Sequence, residues 1–242
     1  MKSIFAVFFM LLSLNVAAES ISHRINDEAF ESYYLSPDAN APLVILLHDW
    51  DGVTDYEKWR AEKLYQLGYA VFVPDLYGAG IRPEAIPDRQ AQTAKLYRDR
   101  QRMRTLIEGG IEKAKMLGAN TENAVLIGYC FGGTAALEMA RSGLDMQGFV
   151  AIHGGLGTPA DQDYKQVKSE ILVQHGAADA KISMADFAAL GIAMERDKVD
   201  HEMIAYGGAG HSFSKPGNDK YNAKADAESW ARLLRFLESK LN

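Results

Sequence analysis

The hydrophobic positions of this chain fall into short unbroken runs separated by longer amphipathic stretches. Leu43 to Leu47, Ala70 to Val73, Ala124 to Ile127, Phe149 to Ile152 and Ile171 to Val173 are apolar throughout. Runs of this length predict strands buried on both faces of a parallel sheet. Glu202 to Tyr206, opened by the pair His201-Glu202, predicts a further strand, and the aromatic stretch Ala29 to Leu35 predicts an early one. The cluster Pro37-Asp38-Ala39-Asn40 marks a turn after it.

Helical patterns fill the intervals. Thr54 to Leu67 has a candidate N-cap in Thr54 and a stop in Gly68. Gly78 to Pro87 reads as loop. Asp88 to Leu117 is a long helical stretch ending at Gly118, and Gly109-Gly110 predicts a break within it. Gly133 to Ser142, Ser183 to Lys198 and the amphipathic Asn222 to Leu241 complete the set. Strand alternates with helix throughout. The expected fold is therefore α/β, with a mostly parallel central sheet, helices on both faces and no separate cap domain. Such sheets carry their functional loops at the carboxyl ends of the strands.

The N-terminus reads differently. Met1-Lys2 is followed by an apolar run from Ile4 to Leu14, then by the small residues Val16-Ala17-Ala18 before Glu19. That is the pattern of a secretory signal peptide, and the run is shorter than the roughly 18 residues of a membrane-spanning helix. The expectation is a cleaved signal over 1–18 and a single domain over 19–242. The mature chain is expected in the bacterial periplasm or outside the cell, free of the membrane.

Composition narrows the function classes. Of 242 residues, 48% are hydrophobic and 24% charged, which is globular and excludes a disordered or fibrous chain. The net charge of −6 offers no electrostatic footprint for nucleic acid. One cysteine permits neither an internal disulfide nor a cysteine-rich zinc site.

That cysteine stands in Gly128-Tyr129-Cys130-Phe131-Gly132-Gly133, between a predicted strand and a predicted helix. This is a nucleophile elbow with Cys in place of the usual Ser, and the Phe131 N–H is a candidate oxyanion donor. A helix N-terminus favours the thiolate. A nucleophile of this kind needs a base and an acid that orients the base, in the chain order nucleophile, acid, histidine. Asp179 follows the Ile171–Val173 strand and His211 follows the last strand, both after Cys130. Asp161 and Asp163 are weaker candidates for the acid, since no strand end precedes either.

These residues resemble the dienelactone hydrolase family of α/β-hydrolases. The resemblance runs from Leu43 to Leu241 and is carried by His48 to Gly52, Pro74 to Gly78, Gly128 to Gly133, His153 to Gly155, His175 to Asp179 and Gly210 to Phe213. It implies metal-free and cofactor-free hydrolysis of a small ester or lactone through an acyl-cysteine intermediate. Cys130, His211 and Asp179 would form the triad, and the N–H groups of Phe131 and Trp50 the oxyanion hole. Founding members carry Glu where this chain has Asp49, an acid that contacts the resting thiol and helps to activate it. They hold a substrate carboxylate with two Arg, where this chain offers Arg82, displaced by three residues, and Lys215. These departures point to a substrate other than dienelactone. Tyr77, Arg82, Lys215 and His153 are the candidate substrate contacts, and Trp50, Tyr77 and Phe131 the candidate apolar lining.

Other features carry less. His48, His153 and His175 all follow strands, but their spacing matches no zinc motif. Arg98, Arg100, Arg102 and Arg104 read as solvated helix surface. The expected partner is a small molecule and the expected state a monomer. The alternative function is a ligand-binding or sensor protein that kept the fold without turnover.

Overall fold

The computed structural model describes residues 19–242. The signal segment read at 1–18 lies outside the described residues. Eight strands form one sheet: β1 (Glu19–Ile25), β2 (Glu28–Leu35), β3 (Pro42–Leu47), β4 (Ala70–Val73), β5 (Asn120–Tyr129), β6 (Gly148–Ile152), β7 (Ile171–Gly176) and β8 (His201–Tyr206). Their order in the sheet is β1-β2-β4-β3-β5-β6-β7-β8. From β4 to β8 every pairing is parallel, while β2 runs antiparallel to both β1 and β4. The expected α/β architecture, with its mostly parallel sheet, is what the chain adopts.

Strand β1 is an addition to the sequence reading. It forms a hairpin with β2 through Asn26 and Asp27, both at positive φ (46° and 64°). Two consecutive left-handed residues make the turn whose twist matches paired strands, and Asn and Asp tolerate that conformation.

Six helices cover the sheet: α1 (Asp55–Tyr65), α2 (Ile86–Arg98), α3 (Arg100–Met116), α4 (Phe131–Arg141), α5 (Met184–Arg196) and α6 (Ala223–Leu241). Side chains alternate along β3. Leu43, Ile45 and Leu47 join the core beneath α3, α4 and α5, and Val44 and Leu46 join the core beneath α1 and α6. Both faces are therefore filled, as the continuous apolar runs require. Thr54 caps α1 through a reciprocal box with Glu57, and Asn222 caps α6 by accepting from the Ala225 N–H.

The long helical stretch does break, but at Asp99, which caps α3 by accepting from the Arg102 N–H. Gly109 and Gly110 lie inside α3. A Cβ on Gly110 would sit 2.7 Å from the Pro74 Cβ. Glycine is there so that the helix can approach the sheet, and not to end it. The basic run is also less solvated than its spacing implies. Arg100 and Arg104, four residues apart, share one face and reach Glu138 of α4 at 2.8 and 2.6 Å. Arg141 reaches it at 2.9 Å, and Glu138 itself is fully buried. Arg102 points elsewhere, to Glu28, and Arg98 is exposed.

Candidate active site

Strand β5 ends at Tyr129 and α4 begins at Phe131, so one residue makes the turn. That residue, Cys130, has φ +51° and ψ −111°, a conformation costly for a side chain with a Cβ. Glycines permit it by close approach. A Cβ on Gly128 would lie 2.1 Å from the Gly132 carbonyl carbon, and one on Gly132 would lie 2.3 Å from the Leu47 oxygen. The Cys130 N–H donates to the Ile152 oxygen at 3.0 Å, which anchors the turn to β6.

The sulfur is 3.1 Å from His211 Nε2. On the other side of the ring, His211 Nδ1 is 2.8 Å from Asp179 Oδ2. The remaining Asp179 oxygen accepts from the N–H groups of Lys181 (2.8 Å) and Ile182 (3.1 Å). Burial of Asp179 opposes its ionisation, but the His211 ring and these two N–H groups outweigh it and hold the carboxyl down to about 2. Asp161 and Asp163 take no part. Asp163 pairs with Lys165 at the surface, and Asp161 lines a separate shallow cavity beside Arg100.

The thiol differs from the helix-end expectation. Burial, then the Asp49 carboxylate within hydrogen-bonding reach, push Cys130 well above the ordinary thiol range. The Phe131 N–H and Lys181 pull in the other direction and do not prevail. That shift favours the protonated thiol over the thiolate.

Asp49 is itself held on several sides. One carboxylate oxygen accepts from the Trp50 N–H. The other is 3.4 Å from Lys215 Nζ, which also lies 2.8 Å from Asp51. The Asp49 N–H donates to Glu57, a buried acid pushed up to about 7 by burial and by the charges of Asp49 and Asp51. Burial works against the Lys215 ammonium, but Asp49 and Asp51 more than offset it and raise its pKa.

A cavity of about 490 Å³ opens over the sulfur. Asp49, Trp50, Cys130, His211 and Lys215 line it, together with Ile86, Arg89 and Lys181. The last three were not singled out in the sequence. Ile86 and Arg89 are three apart on the first turn of α2, which starts two residues before its predicted start. Lys181 follows Asp179 by two residues, and its ammonium lies 5.1 Å from the centre of the Trp50 ring.

Three of the candidate substrate contacts are used elsewhere. Arg82 donates to the carbonyls of Val53, Ile81 and Glu31 and sits 3.4 Å from Asp75, so it fastens loops together and does not line the cavity. Tyr77 is buried against His48 and Phe131, and its hydroxyl donates to the Trp50 oxygen at 3.2 Å. His153 is buried beneath the elbow. The three strand-end histidines do not converge. His48 bridges the Asp49 oxygen and the Leu76 N–H, His153 meets Cys130 and Ser214, and His175 stacks on Phe187.

The arrangement can pass a proton from sulfur to imidazole while a carboxylate steadies the ring, beside a cavity that admits a small molecule. Comparison with known proteins places the chain among hydrolases. Residues 30–241 match the model of the dienelactone hydrolase family. A Synechocystis protein named "Putative carboxymethylenebutenolidase" is 26% identical, the match covering 83% of this chain and 87% of that protein. A Bradyrhizobium protein named "Probable 2-oxo-3-(5-oxofuran-2-ylidene)propanoate lactonase" is 24% identical, over 92% of this chain and 94% of its own. Two solved structures superpose over 93% of this chain and 99% of theirs at 26% identity. They are m3DLH, with a TM-score of 0.87, and a dienelactone hydrolase-like promiscuous phosphotriesterase from metagenomic libraries, with a TM-score of 0.86.

Proposed function

Because the chain belongs to the dienelactone hydrolase family and is a hydrolase of small molecules, we propose that it cleaves carboxylic esters or lactones through an acyl-cysteine intermediate on Cys130. The observation that carries this reading is the alignment of sulfur, His211 and Asp179 at 3.1 and 2.8 Å beside an open cavity.

His211 Nε2 takes the thiol proton as Sγ bonds to the acyl carbon. The negative charge that develops on the carbonyl oxygen is held by the N–H groups of Phe131 and Trp50. The imidazolium, steadied by Asp179, gives its proton to the leaving alkoxide, and the carbon–oxygen bond breaks. A water then loses its proton to His211, attacks the thioester and releases the acid, and the thiol is restored. A thiolate leaves more readily than an amide nitrogen. Esters, lactones and thioesters therefore fit this site better than peptides.

The reading is tested with the chain lacking residues 1–18 and with its Cys130→Ala variant. The panel holds p-nitrophenyl esters of graded acyl length, several lactones, a thioester and a phosphotriester. Multiple turnovers that vanish in Cys130→Ala are expected. A single burst without turnover would instead favour a binding protein on the same fold. We further propose that residues 1–18 are a cleaved signal that sends a monomeric enzyme to the periplasm or beyond. N-terminal sequencing of the protein from cell fractions and light scattering on the purified chain check both points.

A further inference from the structure

Beneath Cys130 runs a chain of buried polar groups that do not touch the cavity. The Cys130 N–H, besides its bond to Ile152, lies 3.2 Å from His153 Nδ1. The other ring nitrogen, Nε2, is 2.8 Å from Ser214 Oγ. Ser214 Oγ is 2.8 Å from the Tyr56 hydroxyl, which accepts from Arg60 Nε at 3.3 Å. Arg60 also donates to the Ser214 carbonyl at 2.7 Å and pairs with Asp226. His153, Ser214 and Arg60 are all essentially unexposed.

The tautomer of His153 is set from the Cys130 end of this chain. A backbone N–H can only donate, so His153 Nδ1 must be bare. A guanidinium can only donate, so the Tyr56 oxygen accepts from Arg60. Either of the Tyr56 and Ser214 hydroxyls can donate to the other, and in both arrangements Ser214 Oγ keeps a lone pair for His153 Nε2. Only a neutral imidazole with its hydrogen on Nε2 closes the chain. A protonated ring, or the other tautomer, would set one N–H against the Cys130 N–H.

We propose that His153 is a positioning residue, which in its neutral Nε2–H form ties the Cys130 backbone to Ser214 and thereby fixes the elbow against the loop that carries His211. This rests on Cys130 being the nucleophile. The placement explains the geometry at both ends. Cys130 and His153 each sit at positive φ (51° and 40°), and each strained residue is held by the other's hydrogen bond. Ser214 lies three residues after His211, so the His153–Ser214 bond spans the gap that the sulfur and imidazole also span.

The surroundings favour the neutral ring. Tyr129, His211 and Phe213 face it at 5.7, 5.9 and 5.2 Å between ring centres. Burial, then His211 and Arg60, hold its pKa well below the ordinary histidine value, against the opposing pull of its own backbone carbonyl and of Asp179.

The test compares Ser214→Ala, Ser214→Thr and His153→Asn with Cys130→Ala, and follows imidazole ¹⁵N resonances by NMR. In the unaltered protein His153 is expected as the Nε2–H tautomer, without titrating between about pH 5.5 and about pH 8. Ser214→Ala removes the acceptor and lets the second tautomer form. It should lower kcat about tenfold or more while KM stays within about twofold, and Ser214→Thr should restore it. His153→Asn keeps an acceptor near the Cys130 N–H but falls short of Ser214, and should resemble Ser214→Ala. An Nδ1–H tautomer or a titrating ring in the folded, unaltered protein would overturn the proposal, even if all three Ser214 and His153 variants failed to fold. So would a folded Ser214→Ala with full kcat, provided Cys130→Ala is inactive. Turnover surviving in Cys130→Ala would instead overturn the nucleophile assignment.

Discussion

The carboxylate of Asp49 accepts the hydrogen bond of the residue that follows it, the Trp50 N–H. One side chain thereby occupies the N–H proposed to hold the developing oxyanion and also, after burial, raises the pKa of the neighbouring thiol. In the proposed reaction the carbonyl oxygen of a bound substrate takes that N–H from the carboxylate, so arrival of substrate and exposure of the proposed oxyanion donor are one event.

Asp49→Asn removes the charge but keeps an oxygen for the Trp50 N–H. Ionisation of the Cys130 thiol should then move to lower pH, because a like charge no longer opposes the thiolate. Alkylation by iodoacetamide, followed against pH, reads the shift directly, and an unmoved profile would contradict the role given to Asp49.

Asp179→Asn should lower kcat by about 10³- to 10⁴-fold, with KM much less affected, because the His211 ring loses both its orientation and its counter-charge. The same residue carries a stability signature. Its pKa is depressed from 3.8 to about 2 in the fold. The stabilisation it contributes is therefore complete above pH 3.8 and is lost as the pH falls through about 2. Urea unfolding at stepwise lower pH should show a smaller acid loss in Asp179→Asn than in the unaltered protein, the remainder coming from other paired carboxylates such as Glu138 and Glu202.

Glu138 is the fully buried meeting point of Arg100, Arg104 and Arg141. Glu138→Gln leaves three guanidiniums around a neutral amide. Breaking a buried ion cluster on one side costs about 3 kcal/mol or more. Urea unfolding near neutral pH measures it. Replacing all four residues with packed apolar groups should cost far less than Glu138→Gln.

Gly128→Ala places a methyl group 2.1 Å from the backbone of Gly132. No rotamer relieves a clash with backbone. We expect a loss of about 3 kcal/mol or more, seen as a lower Tm or as insoluble protein, whereas alanine at the exposed Gly207, which has open space around it, should change Tm little.

Much of this was legible in the sequence because the signals were local. Continuous apolar runs locate strands buried on both faces, and the elbow glycines locate the turn whose crowding demands them. Cys130, Asp179 and His211 were readable because chain order and strand ends constrain where they can meet. Strand β1 was harder, since its burial alternates weakly and its turn is an Asn-Asp pair rather than Asn-Gly. Gly109-Gly110 misled because a glycine needed for close packing looks in sequence like one that ends a helix. Arg82 and Lys215 show the main limit. A cation near a site has no visible partner until folding brings one, and here Asp75 and backbone carbonyls claim Arg82 while Asp49 and Asp51 claim Lys215.

The three residues of the proposed triad come from the ends of β5, β7 and β8, with β6 between the first two. Parallel neighbours of this kind pair only after long crossovers have closed, which is slow compared with forming helices or the β1–β2 hairpin. Sulfur and imidazole therefore meet only once half of the sheet has assembled in register. A partly folded chain carries its cysteine without its base, so catalytic competence appears late on the folding path and is among the first properties to fail as the sheet loosens.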